Sequence, residues 1–69
     1  MEILRKNVRY LRKKANYTIA QFAAILGLSK NTISAFESGY NTISLSVLIK
    51  IRNLFKVTID DLIFKDLTK

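Results

Sequence analysis

The sequence predicts an all-α fold of five short helices, and three features carry that expectation. Apolar residues recur at spacings of three and four along most of the chain, which gives each helix one face for burial. Four hydroxyl residues, Thr18, Ser29, Ser44 and Thr58, each sit between an apolar residue just before them and another four positions on. These pairs, Tyr17 with Phe22, Leu28 with Ile33, Ile43 with Leu48 and Val57 with Leu62, are hydrophobic staples around helix caps. No run alternates apolar and polar residues for long enough to make a strand, and there is no proline.

The first helix runs from Glu2 to Ala15, with Leu4, Val8, Leu11 and Ala15 as its stripe and Asn16 as a left-handed stop. Thr18 caps the second helix, and Gln21 three residues later completes a capping box. Ile19, Phe22, Ala23 and Leu26 form its buried face, and Gly27 ends it. Ser29 caps the third helix, whose inward positions are Ile33 and Phe36 and which Gly39 ends. Only Leu28 separates Gly27 from Ser29, too little for the two helices to lie side by side. They must cross steeply, with the small Ala23 allowing close approach, and that is helix-turn-helix geometry. Tyr40 to Ile43 is a loop, and a fourth helix from about Leu45 to Phe55 buries Leu48, Ile51, Leu54 and Phe55. Thr58, helped by Asp60 and Asp61 at the positive end of the macrodipole, opens a short fifth helix to about Phe64.

A chain of 69 residues with 49% hydrophobic residues is expected to be one small domain with a single core. It has neither Cys nor His, which excludes disulfides and the usual zinc ligand sets and fits a cytoplasmic protein. No apolar run reaches the ~20 residues of a membrane span, and Arg5, Lys6, Arg9 and Arg12 break up any signal-peptide core. The formal net charge is +7 and the pI about 10.1. All twelve Lys and Arg except Lys65 and Lys69 precede Val57, against only Glu2 and Glu37. Such a basic body points to a polyanion partner, with a merely solvated basic surface as the alternative. Without His or Cys, and with few, scattered acids, no enzyme site, metal or cofactor is expected.

At this point the chain resembles the Xre-type helix-turn-helix family, which includes the phage repressors and Cro proteins. Val8-Arg9-x-Leu11-Arg12 looks like that family's first-helix motif. Ala23, Gly27 and Ile33 stand at its small, turn and core positions, and Glu37-Ser38-Gly39 is similar to the end of its recognition helix. Val57-Thr58-Ile59-Asp60-Asp61-Leu62-Ile63 is similar to its final helix. The resemblance covers nearly the whole chain and implies a compact, lambda-repressor-like DNA-binding domain. It also implies an ion pair between the first and third helices, at Arg12 and Glu37. Glu37 is the only acid between Glu2 and Asp60, which independently gives it a reason to sit by a basic helix. Two departures matter: Ile19 replaces a Gln that binds phosphate in the family, and Asn41-Thr42-Ile43 replaces a common Arg-Asn-Pro. Phosphate contacts there are expected to be neutral hydrogen bonds.

With Ile33 and Phe36 inward, the outward positions of the third helix are Lys30, Asn31, Ser34 and Ala35. Lys30 suits guanine O6 and N7, Asn31 can pair bidentately with adenine, and the Ala35 methyl can touch thymine. Thr18, Thr32, Tyr40, Asn41 and Thr42 flank that helix and are the phosphate candidates, Thr32 doubling as a cap residue and Lys30 able to reach a phosphate as well. Arg5, Lys6, Arg9, Lys13 and Lys14 read as a long-range field. The expected function is a sequence-specific transcriptional regulator, a repressor, bound to an operator in double-stranded DNA as a homodimer. Ile43, Phe64 and Leu67 are the expected dimer contacts, with Tyr10 and Phe64 each either core or dimer contact. The alternative is a protein-interaction module such as an antitoxin, using the segment from Leu62 to Leu67. A membrane role for the first helix is disfavoured, because the core needs its apolar stripe.

Overall fold

Each of the four hydroxyl residues begins a helix in the computed structural model, which describes residues 2–69. The helices are α1 (Glu2–Lys14), α2 (Ile19–Leu26), α3 (Lys30–Glu37), α4 (Leu45–Phe55) and α5 (Ile59–Phe64). The hydroxyls of Thr18, Ser29, Ser44 and Thr58 accept from the backbone N–H groups of Gln21, Thr32, Val47 and Asp61. At Thr18 the box closes, its own N–H donating to Gln21 Oε1 at 2.9 Å. A cap of this kind contributes about 1 kcal/mol, a large share for helices too short to form alone.

Four of the described helices stop at or next to a left-handed residue, while α5 ends in extended backbone at Lys65. Asn16 has φ 63°, and Gly27 has φ 72°. At the Gly27 bend the Leu28 N–H reaches back to Ala23 O at 2.9 Å, so α3 starts almost at once. The end of α3 corrects the expectation by one residue: Ser38 is its cap, and Gly39, at φ 88°, follows it. The Tyr40 N–H then donates to Ala35 O at 2.9 Å, tying the next loop to α3. Lys56 ends α4 at φ 55°, a left-handed position held by a residue with a Cβ.

The core is one cluster drawn from every helix, including Val8, Phe22, Leu26, Ile33, Ile51 and Leu62. Tyr17, Leu28, Ile43 and Val57 pack half-buried against it, as staples do. The Phe22 ring lies 6.4 Å from Tyr17 and 5.9 Å from Phe55, centroid to centroid. Three details of the expected core differ. Ala15 is exposed, because α1 has already ended and the chain is turning into Asn16. Leu54 and Phe55 are only half-buried, since Val47, Leu48 and Ile51 form the inner face of α4. Ile19, likewise, is half-buried at the start of α2.

Asn7 and Arg12 are the buried polar residues of α1 among the described residues, and Asn7 serves the far end of the chain. Its amide nitrogen donates to Leu62 O at 2.8 Å and Lys65 O at 2.6 Å, and its oxygen accepts the Leu67 N–H at 2.9 Å. One side chain therefore satisfies the end of α5 and clasps the following tail to α1. No described helix is long and apolar enough to cross a membrane.

Candidate nucleic-acid interface

The geometry starts with α3, which has one buried and one open face. Ile33 is fully buried and Phe36 is 4% exposed, which leaves the opposite face outward. Lys30, Asn31 and Ser34 are exposed on it, and Ala35 is half-buried. Lys30 and Asn31 occupy the first turn, where free backbone N–H groups and the positive end of the helix dipole also lie. Thr32 is turned back to the cap, its hydroxyl 2.8 Å from that of Ser29.

The other end of α3 is locked to α1. Arg12 Nε donates to Glu37 Oε2 at 2.6 Å, and Arg12 Nη2 to Oε1 at 2.9 Å, a bidentate pair. Both side chains are over nine-tenths buried. Arg12 Nη1 also donates to Tyr17 O at 2.8 Å, so one guanidinium ties α1 to the α1–α2 turn and to α3. Arg9 lies 4.0 Å from the same carboxylate. Cations beside the C-terminal end of a helix complement its dipole.

The flanking candidates surround the open end and the loop beyond α3. Thr18 is exposed at the start of α2, and Tyr40, Asn41 and Thr42 are exposed after Gly39, Tyr40 at 86%. A five-helix array with a tight glycine bend between α2 and α3 and a polar, open first turn on α3 is thus in place. The helix-turn-helix family profile matches residues 8–62. The chain belongs to the Xre-type helix-turn-helix family.

Several named regulators of this helix-turn-helix class resemble it. The HTH-type transcriptional regulator AnsR of Bacillus subtilis is 39% identical over 59 residues, covering 86% of this chain and 51% of AnsR. The HTH-type transcriptional regulator ImmR of the same organism is 35% identical over 63 residues, 91% of this chain and 50% of ImmR. The antitoxin PezA of Streptococcus pneumoniae is 34% identical over 61 residues, 88% of this chain and 39% of PezA. The chain spans about half the length of the two regulators and less of the antitoxin. No solved structure matches it significantly.

Sequence reasoning missed some residues that support this helix-turn-helix unit. Asn7 was legible as a polar residue set within the Leu4–Leu11 stripe. Lys50 carried no such signal; its ammonium donates to Leu26 O at 3.4 Å, capping the end of α2 from α4. Lys6 pairs with Asp66 at 3.0 Å rather than acting only as part of a field. The Asp66 carboxyl is held down to about 2 by hydrogen bonds from the Thr68 side chain, from Lys6 and from the Thr68 N–H. Tyr10 is half-buried beneath the Lys14 ammonium, 5.8 Å from the ring centroid, and Phe64 is 80% exposed.

Proposed function

We propose that this chain is a sequence-specific DNA-binding domain that inserts the first turn of α3 into the major groove and acts in the cytoplasm as a transcriptional repressor. The observation that supports it best is the division of α3. Lys30, Asn31 and Ser34 are free on its open face, while Ile33, Phe36 and Glu37 fix the helix from behind. Lys30 donates to guanine, Asn31 pairs with adenine, and Ser34 and Ala35 meet the next base pairs. Thr18, Asn41 and Thr42 hold phosphates on either side, with Tyr40 over the backbone; Thr32 adds at most a shared hydroxyl, given its bond to Ser29. Recognition by dimers then sets half-site centres one helical turn, about 34 Å, apart. The exposed Leu45 and Phe64 are available for such a dimer, at 65% and 80%.

Selection of bound duplexes from a random DNA pool tests this directly. An inverted repeat is expected, and Lys30→Ala or Asn31→Ala should each cost about 1–3 kcal/mol of operator affinity with helicity unchanged. Unchanged affinity in both variants would remove α3 as the reading head. The likeness to the antitoxin PezA supports a second reading, in which the scaffold also covers a protein. Its surface would be the groove of about 420 Å³ beside Leu45 and Ile63. A stable protein complex together with sequence-blind DNA binding would favour it.

A further inference from the structure

We infer that Arg5 of α1 is a positioning residue for the loop after α3, the loop to which the proposed DNA contacts assign part of the phosphate grip. The inference rests on that reading of Asn41 and Thr42. Arg5 is half-buried, and among the described residues no carboxylate lies within ion-pair distance of it. Its neighbours Arg9 and Arg12 both approach Glu37, yet Arg5 reaches past that carboxylate to the backbone, its Nη1 donating to Glu37 O at 3.5 Å. The rest of its guanidinium faces Gly39. A Cβ placed on Gly39 would lie 3.4 Å from Arg5 Cζ, 3.5 Å from Nε and 3.6 Å from Nη1. Three atoms of one plane at nearly equal distance from one point mean that the plane lies flat over it. The guanidinium therefore lies flat against the position a Gly39 side chain would take, at van der Waals distance from it.

The left-handed backbone is what calls for glycine at this position, and a Cβ there would only touch the Arg5 guanidinium. Gly39 is also where the chain leaves α3 for Tyr40, Asn41 and Thr42, which with Arg5 line one wall of the groove. The loop itself is held by the N–H groups of Tyr40 and Asn41, both donating to Ala35 O, the second at a long 3.4 Å. An exposed loop hung on one carbonyl has few restraints of its own. Arg5 supplies another from the opposite side, and its planar fork does so in a way a lysine cannot reproduce.

The conservative variant Arg5→Lys separates positioning from charge, because it keeps the field and removes the plane. Operator binding is measured by fluorescence anisotropy over a series of salt concentrations, using the duplex selected from the random pool. Arg5→Lys is expected to weaken binding about tenfold, as much as Arg5→Ala does. The slope of log K against log salt should stay at the wild-type value, because Arg5→Lys keeps the charge and the Asn41 and Thr42 contacts are neutral, whereas loss of a charged phosphate contact would flatten it by about 1. In an Asn41→Ala, Thr42→Ala background, Arg5→Lys should have little further effect, because the groups it positions are gone. Amide hydrogen exchange of Tyr40 and Asn41 in the free protein should speed up in Arg5→Lys, while exchange in α3 and the thermal midpoint stay put. Arg5→Lys binding with wild-type affinity, or losses that multiply with those of the loop variant, would overturn the role of Arg5. A wild-type protein that selects no duplex would instead overturn the reading of the whole interface.

Discussion

Replacing Arg12 by Met strands a buried carboxylate, and the structure sets the size of the effect. Glu37 would lose two short bonds, at 2.6 and 2.9 Å, and Tyr17 O would lose its donor at 2.8 Å. Both members of the pair are over nine-tenths buried, so water cannot replace Arg12 without opening the α1–α3 packing. Removing one partner of such a pair costs about 3–5 kcal/mol. Arg9, already 4.0 Å from Glu37, can swing in, which places the loss near the lower figure. A domain of 69 residues has a total stability of only about 3.5–10 kcal/mol, so Arg12→Met should take about a third or more of it. The companion Arg12→Met, Glu37→Leu removes both charges and leaves an apolar contact in their place. It should recover about 2 kcal/mol or more relative to the sum of the single losses. Urea unfolding of the four proteins gives the coupling. Additive losses, or a cost for Arg12→Met below about 1 kcal/mol, would mean that the pair behaves as a surface ion pair and does not brace α3.

Three further outcomes follow from other parts of the fold. Asn7→Ala leaves Leu62 O, Lys65 O and the Leu67 N–H without their partner and should cost about 2–4 kcal/mol, read as a lower urea midpoint and as rapid exchange of the Leu67 amide. Lys56→Gly should raise stability by about 0.5–1 kcal/mol, because the left-handed conformation at φ 55° strains a residue with a Cβ; a lower melting temperature would contradict that. The Asp66 carboxyl, held at about 2 against an ordinary value of 3.8, favours the folded tail fully above about pH 4 and loses that contribution as pH falls through about 2. The Thr68 amide resonance, followed by NMR, should shift with a midpoint near 2; a midpoint near the unfolded value would show that the tail is not docked.

The fold was legible because its boundaries are written in short-range chemistry. Thr18, Ser29, Ser44 and Thr58 specify helix starts through bonds three residues long, and Gly27 and Asn16 specify stops through one dihedral angle. The outward set on α3 followed equally, since burying Ile33 and Phe36 fixes which residues remain. What was not legible depends on partners far apart in sequence. Asn7 meets groups 55 to 60 residues away, and Lys50 meets one 24 residues away. The Leu4–Leu11 stripe hints that Asn7 is buried but not what it meets, and nothing local distinguishes a Lys such as Lys50 from a solvated one. Arg5, Lys6 and Arg9 read as one basic face, yet they find a backbone turn, Asp66 and Glu37 respectively.

The division of labour within α3 explains why so short a helix can carry a reading head. Eight residues make little more than two turns, below the length at which a helix holds in water. Its persistence is therefore supplied from outside the exposed face: the Ser29 cap at one end, Ile33 and Phe36 beneath, and Arg12 on Glu37 at the other. None of these anchors uses Lys30, Asn31 or Ser34. Substitutions at those three positions can change what the helix touches while leaving what holds it intact. Substitutions at Ser29, Phe36 or Glu37 act the other way, moving the whole helix and with it every group it presents. A fall in affinity from the first set should consequently vary with DNA sequence, whereas a fall from the second should be alike on all sequences.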